Sequence, residues 1–202
     1  RDIELPVFCC TIKNSFSVLD VATGTGEPGL TVASKFRNSK VIGTDIAEDM
    51  ARIAKENAAT RGLNNYDVRV CDVSSLPFED NYFDAAVCRF GVMFFPDMVD
   101  GIKEISRVTK QRKKTALAAW GTPERNLWAT TISEIIHGMM KIPPAPPGSP
   151  GMFRCSEPGS LESVMIEAGL KNVDEDEVKG EVIFDSPEQY WNFVTEVTAP
   201  VS

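Results

Sequence analysis

Three aspartates and a loop of small residues are the groups in this chain whose types and spacing point to chemistry. Asp20 ends an apolar run and stands four positions before Gly24, which forms a loop together with Gly26. Glycines allow a backbone to turn sharply and to approach a ligand that a Cβ would hold away. Asp45 and Asp72 each follow a later apolar run. Carboxylates at strand ends beside a glycine loop are typical of sites that hold a nucleotide-like ligand.

The elements that position these groups alternate regularly from residue 17 to residue 120. Short apolar runs predict strands, at 18–21, 40–44, 67–71, 83–88 and 115–120. Apolar positions at helical spacing predict helices, at 28–36, 48–61 and 97–108. This alternation is typical of parallel sheets with helices on both faces. We therefore predict an α/β fold with a Rossmann-like, doubly wound and mostly parallel sheet.

The pattern changes after residue 120, where helices and loops dominate. Helical spacing predicts three more helices, at 128–140, 157–168 and 187–197, and one or two strands within 172–184. The stretch 142–156 is rich in proline and glycine, and a loop of that length in a compact domain often serves as a lid or binding loop. We predict a single domain over 1–202, with a core over 17–120 and a helical and loop cap inserted after strand five.

Composition and charge restrict the classes of partner. The chain has 202 residues, of which 43% are hydrophobic and 25% charged, and this is typical of a globular domain. A net charge of −8 does not favour a phosphate backbone, so we expect no nucleic-acid partner. No apolar run approaches the roughly 20 residues of a membrane span. The five cysteines lack metal-ligand spacing, and their odd number favours reduced thiols. We therefore expect a cytoplasmic protein without a metal site.

The glycine loop alone is compatible with two cofactors. Gly24-x-Gly26-x-x-Gly29 matches the dinucleotide fingerprint, and Asp45 stands 19 positions after Gly26, as the ribose-binding carboxylate does in NAD enzymes. Asp20 favours a different ligand, because a carboxylate repels a pyrophosphate and attracts an amino group or a sulfonium. A second strand-end carboxylate suits an adenine amino group. These features favour a ligand with an amino group, a sulfonium and an adenine, but they leave NAD as an alternative.

Three segments resemble a known family, and they are 18–26 (VLDVATGTG), 43–50 (GTDIAEDM) and 72–84 (DVSSLPFEDNYFD). The similarity is to class I S-adenosylmethionine-dependent methyltransferases, of the small-molecule type similar to ubiquinone and menaquinone C-methyltransferases. It implies S-adenosyl-L-methionine as cofactor and a small-molecule methyl acceptor. Because the cofactor would take up the sheet face, we expect segments 121–160 and 187–198 to bind the acceptor. Ala22 departs from the family's first glycine, and residues 111–113 replace a Pro-Gly-Gly turn. The family has further segments at both ends, so we expect one or both ends of this chain to be trimmed.

The resemblance implies cofactor contacts for eleven residues, which are Asp20, Ala22, Thr23, Gly24, Gly26, Asp45, Ile46, Met50, Asp72, Val73 and Arg89. Asp45 would bind the ribose hydroxyls. Ile46 and Met50 would enclose the adenine. Asp72 would accept from the adenine amino group, and the N–H of Val73 would donate to a ring nitrogen.

The methionine end of the cofactor is assigned to a second group of residues by the same resemblance. Asp20 and the backbone of 22–26 would hold the methionine part, and the backbone near Arg89 would close that end. No residue stands out as a catalytic base. Transfer of a methyl group from a sulfonium needs alignment more than a protein nucleophile, so this absence is compatible with the family. Two alternatives remain open: an NAD(P)-dependent oxidoreductase, and a cofactor-binding homologue without turnover.

Overall fold

The computed structural model describes residues 15–141, 146 and 148–197. Its strands are β1 (Ser17–Val21), β2 (Lys40–Asp45), β3 (Tyr66–Val70), β4 (Phe83–Arg89) and β5 (Thr109–Ala118). They form one sheet in the order β3-β2-β1-β4-β5, and every neighbouring pair is parallel. The direction of winding reverses between β1 and β4. Ligands of open α/β sheets bind at the carboxyl ends of strands at such a reversal.

Helices cover both faces of this sheet. They are α1 (Gly29–Lys35), α2 (Glu48–Thr60), α3 (Met98–Val108), α4 (Leu127–Met140), α5 (Ser160–Glu167) and α6 (Pro187–Val197). Successive side chains of a strand point to opposite faces, so each strand contributes to two cores. Val18 packs with apolar residues of α1 and α2, whereas Leu19 packs with those of α3 and α5. The predicted α/β, Rossmann-like, doubly wound fold is confirmed.

Local sequence features explain where the helices flanking the site begin and end. The Asp97 carboxylate accepts a hydrogen bond from the Asp100 N–H at 3.0 Å and so caps the first turn of α3. Gly62, with φ of +60°, follows the end of α2 in the left-handed conformation that glycine adopts without strain. Pro28 precedes α1, where its missing N–H leaves no donor unsatisfied.

Strand β5 is longer than predicted, because it begins at Thr109 and not at 115. Its pairing with β4 is irregular between Phe83 and Ala85, which face Thr109 and Lys114. Arg112 lies in the extra length and has a φ of +62°. The segment 111–113, where the family has a turn, is therefore an irregular part of the strand.

The prediction of strands within 172–184 is wrong, since the structure forms no strand there. The segment is held by side chains at its acidic start. Glu175 accepts hydrogen bonds from the N–H groups of Gly159 and Glu162, at 2.8 and 2.9 Å, and thereby binds the first turn of α5. Arg125 and Glu177 form an ion pair. Apolar alternation alone does not make a strand, because its backbone needs a neighbouring strand to pair with.

The segments predicted as the cap, 121–160 and 187–198, contain α4 and α6, and part of the loop 142–156 lies outside the described residues. Helix α5 is shorter than predicted, because Gly159 precedes it with φ of +79°. None of the described helices has the length and apolar character needed to cross a membrane. Among the described residues, no three His, Cys, Asp or Glu side chains are grouped as metal ligands.

Candidate functional site

The loop that follows β1 is fastened to the end of β2. The Thr23 N–H donates to the Thr44 carbonyl oxygen at 2.9 Å, and the Gly24 N–H donates to Asp45 Oδ2 at 2.8 Å. Gly24 has a φ of +56°, and a Cβ placed there would have no atom within 4 Å in the part of the chain that the structure describes. The loop is therefore open beside Gly24 and leaves room for a ligand close to its backbone.

Ala22 takes the place of a glycine in the family pattern. Its backbone has a left-handed conformation, with φ of +51°. Space for its methyl group comes from a second glycine. A Cβ added at Gly91 would lie only 2.5 Å from the Ala22 Cβ and 2.9 Å from Cys88 Sγ. The close packing of Ala22 against Gly91 explains how the loop accommodates the departure from the family.

The Asp45 carboxylate lies at the centre of the site. Its Oδ2 accepts from Gly24, and its Oδ1 accepts from the Ala47 N–H at 3.0 Å. Each oxygen keeps a further lone pair for a donor such as a ribose hydroxyl. Ile46 and Met50, next along the chain, are 70% and 41% exposed. Apolar side chains with this exposure beside a fixed carboxylate suit the flat ring and sugar of a nucleoside.

Asp72 lies at the end of the neighbouring strand. The Cys71 N–H donates to the Asp45 carbonyl oxygen at 3.0 Å, so the chain reaches Asp72 directly beside the end of β2. Asp72 Oδ1 accepts from the Ser74 N–H at 2.8 Å and caps the short 3₁₀ turn that Val73 begins. The structure thus brings Asp45 and Asp72 to adjacent strand ends at one edge of the sheet.

Asp20 is buried beneath the loop. Its Oδ2 accepts from Thr23 Oγ1 at 2.6 Å and from the Gly29 N–H at 2.8 Å, while none of the described residues donates to its buried Oδ1. Burial raises the pKa of Asp20 to about 7, against the opposing effects of these two donors and of the Arg89 charge. Asp20 therefore connects the loop to the start of α1, and its contact with a methionine group stays a prediction.

Arg89 and Cys88 end β4 on the other side of the loop. Arg89 is exposed, and its guanidinium carbon lies 5.7 Å from the centroid of the Phe90 ring. The Cys88 thiol is buried, and burial raises its pKa to about 12. Cys88 is therefore a neutral packing residue, whereas the position of Arg89 leaves it accessible to a ligand.

One residue of this region was not predicted from the sequence. The phenol oxygen of Tyr66, at the start of β3, lies 2.9 Å from Thr23 Oγ1. Gly43 in β2 is the sequence feature that could have indicated this contact, because a glycine within a strand often marks the close approach of another group. A Cβ at Gly43 would lie 2.6 Å from the Tyr66 oxygen.

Aromatic rings connect the cap to the carboxyl ends of β4 and β5. Phe90 stacks on Trp120 with ring centroids 4.0 Å apart, and Trp120 meets Trp128 of α4 at 5.1 Å. Trp128 meets Phe193 of α6 at 5.9 Å, and the Tyr190 hydroxyl donates to the Trp128 carbonyl oxygen at 2.9 Å. These contacts position α4 and α6 beside the end of β4.

Comparison with known proteins agrees with this geometry. Residues 18–112 match the family model described as a methyltransferase domain. A demethylmenaquinone methyltransferase of Bacteroides fragilis is 35% identical over 109 residues, which are 54% of this chain and 44% of that protein. A ubiquinone/menaquinone biosynthesis C-methyltransferase of Citrifermentans bemidjiense is 32% identical over 114 residues, or 55% of this chain and 48% of that protein. The chain spans about half the length of these curated relatives.

Solved structures show the same fold. A SAM-dependent methyltransferase from Aquifex aeolicus superposes with a TM-score of 0.60 over 76% of this chain and 71% of that chain, at 22% identity. The matched residues 18–112 include the loop and the ends of β1 to β4, so the match covers every predicted cofactor contact. Residues 18–112 therefore match a methyltransferase domain in sequence, and the fold is that of a solved SAM-dependent methyltransferase.

Proposed function

We propose that this protein transfers a methyl group from S-adenosylmethionine to a small molecule. The observation that supports it most is the position of Asp45, whose carboxylate is fixed by the N–H groups of Gly24 and Ala47. A carboxylate held in this way can accept from both hydroxyls of a ribose. The exposed Ile46 and Met50 lie beside it for the adenine.

The adenine and methionine ends of the cofactor are assigned to the two sides of Asp45. Asp72 and the N–H of Val73 are proposed to bind the adenine edge, and one lone pair of Asp72 Oδ1 is already used by Ser74. The open backbone at Gly24 and the exposed Arg89 are proposed to bind the methionine end.

When bound, S-adenosylmethionine supplies an activated methyl group together with its leaving group. The contribution of the protein is then alignment of the two reactants and exclusion of water, and alignment alone can lower a barrier by about 7–11 kcal/mol. The fixed loop and the fixed Asp45 carboxylate meet this need, because neither has to reorganise when the reactants bind.

The acceptor is proposed to be a small planar molecule such as a quinol or phenol. Two observations support this class. The relatives from Bacteroides fragilis and Citrifermentans bemidjiense are named for methylation in menaquinone and ubiquinone biosynthesis. The cap over 121–160 and 187–198 also adds aromatic rings beside the end of β4, where Phe90 stacks on Trp120. Aromatic rings are suitable surfaces for a planar apolar molecule.

The comparisons and an assay address different alternatives. The match of residues 18–112 to a methyltransferase domain argues against the NAD(P)-dependent oxidoreductase. A homologue that binds the cofactor without turnover is distinguished by assay. Purified protein is incubated with S-adenosylmethionine and a panel of quinols, phenols and amines, and S-adenosylhomocysteine and methylated product are measured. We expect turnover with a quinol or phenol, and loss of turnover in Asp45→Ala. Cofactor binding without a methylated product from any acceptor would contradict the proposal.

A further inference from the structure

A buried polar contact joins Tyr66 of β3 to Thr23 in the loop that follows β1. We propose that Tyr66 is a positioning residue for the cofactor, which fixes Thr23 and through it the glycine loop. This inference rests on the proposed function, because it concerns the same cofactor site. It adds a residue from β3 to a loop that belongs to β1.

The direction of the hydrogen bonds follows from the acceptors available. The Thr23 hydroxyl donates its proton to Asp20 Oδ2 at 2.6 Å. With that proton used, the 2.9 Å contact between Thr23 Oγ1 and the Tyr66 oxygen requires the phenol to donate. Burial raises the pKa of Tyr66, so the phenol keeps its proton at neutral pH. The order is Tyr66 to Thr23 to Asp20.

Two glycines from different elements leave the space that the tyrosine occupies. A Cβ at Gly43 of β2 would lie 2.6 Å from the Tyr66 oxygen. A Cβ at Gly29 of α1 would lie 2.7 Å from Tyr66 Cε2 and 2.7 Å from Asp20 Oδ2. Both distances are well below an ordinary carbon contact, so a larger residue at either glycine would displace the ring. The side chain therefore reaches the loop beneath β2 only because both positions lack a Cβ.

Thr23 transmits this contact to the cofactor site. Its N–H is bound to Thr44, and the next N–H, that of Gly24, is bound to Asp45 Oδ2. The hydroxyl of Thr23 is the side-chain anchor of the same turn. Removal of the Tyr66 oxygen takes away one of the two hydrogen bonds of that hydroxyl, and it leaves the aromatic ring in place.

The test measures S-adenosylhomocysteine binding by calorimetry with wild type and Tyr66→Phe. A single hydrogen bond contributes about 0.5–1.5 kcal/mol, so we expect Tyr66→Phe to bind roughly 2- to 12-fold more weakly. Tyr82→Phe is the matched control, because the Tyr82 oxygen accepts from Lys40 Nζ at 3.0 Å at the opposite ends of the strands. We expect this control to bind as wild type does. Thermal melting of each variant confirms that it is folded at the temperature of the titration.

A second pair of variants tests whether Tyr66 acts through Thr23. In a Thr23→Val background the phenol has lost its acceptor, so addition of Tyr66→Phe should not weaken binding further. Equal affinity of Tyr66→Phe and wild type would overturn the inference, even if Tyr66→Phe melts at a lower temperature. An undiminished effect of Tyr66→Phe in the Thr23→Val background would also overturn it. Failure of wild type itself to bind S-adenosylhomocysteine would instead contradict the proposed function.

Discussion

At the scale of single residues, burial determines the protonation of Asp20. It is completely buried, accepts two hydrogen bonds at Oδ2 and none from the described residues at Oδ1, and has a pKa raised to about 7 by burial. The folded protein therefore holds a proton on Asp20 at pH values where the unfolded chain, with a pKa near 3.8, has lost it. Stability should consequently be highest below pH 4 for this group and should fall as pH rises toward 7.

The substitution Asp20→Asn tests this dependence. Asparagine keeps an oxygen for Thr23 and Gly29 but has no proton to lose. Between pH 5 and pH 8 we expect wild type to lose on the order of 2–3 kcal/mol of unfolding free energy that the variant does not lose. Denaturant unfolding at the two pH values measures the difference. Equal pH dependence of the two proteins would show that Asp20 keeps an ordinary pKa.

The sequence alone predicts the positions of some residues of the site and not the contacts of others. Asp45 and Asp72 were predicted correctly to lie at neighbouring strand ends, because parallel strands place their carboxyl ends at one edge. The contact between Thr23 and Tyr66 was not predictable in this way. The two residues are 43 positions apart, and β2 lies in the sheet between the strand of Tyr66 and the strand that precedes Thr23. Such contacts depend on which strands become neighbours.

At the scale of elements, helix α3 holds the loop that carries Asp72 into β4. Arg107 donates to the carbonyl oxygens of Leu76 and Phe78 at 3.0 Å and forms ion pairs with Glu104 and Asp80. Glu104 in turn accepts from the Leu76 N–H at 2.8 Å. One side chain of α3 therefore donates to two backbone carbonyls of the loop, of which that of Leu76 also accepts from the Phe78 N–H at 2.8 Å.

Arg107→Ala should destabilise the protein by about 2 kcal/mol, because it removes a charged donor from the carbonyl oxygens of Leu76 and Phe78 and from the half-buried Glu104. Lys103→Ala on the same helix is the control. Lys103 forms only an exposed pair with Asp100, at 3.1 Å, and its loss should cost less than about 0.5 kcal/mol. Chemical denaturation of both variants measures this difference, and equal effects would contradict the role assigned to Arg107.

The bounds of an element were predicted correctly where they depend on the spacing of apolar residues. They were predicted incorrectly where they depend on pairing with another strand. Helix α6 begins and ends as predicted, because its apolar spacing is local information. Strand β5 was predicted too short, since the polar residues 110–114 carry no apolar signal and become strand through pairing with β4. The opposite error at 172–184 has the same cause, because its apolar residues have no strand to pair with in the described structure.

At the scale of the whole molecule, the cap and the sheet are joined by aromatic contacts. Phe193 of α6 meets Trp128 of α4 at 5.9 Å and Phe184 at 5.3 Å. Trp128 in turn contacts Trp120, which follows β5. Aromatic ring contacts therefore contribute to the position of α6.

Phe193→Ala should loosen α6 without unfolding the sheet. We expect faster proteolytic cleavage within 187–197 and a nearly unchanged melting temperature of the core. Trp191→Ala is the matched control, because Trp191 is 58% exposed on the same helix. Its cleavage rate should stay close to that of wild type. Equal cleavage of the two variants would show that the ring contacts of Phe193 do not hold the helix.

The proposed function depends on one site, at which the loop after β1 and the Asp45 carboxylate are proposed to hold an adenosine that carries a sulfur-linked amino acid. Isothermal titration calorimetry of the wild-type protein with S-adenosylmethionine, S-adenosylhomocysteine and NAD tests this directly. We predict binding of the two sulfur-containing ligands, no binding of NAD, and at least about a tenfold loss of affinity in Asp45→Ala, because hydrogen bonds to a charged group contribute about 1.5–3 kcal/mol. Binding of NAD without binding of either sulfur-containing ligand would contradict the account.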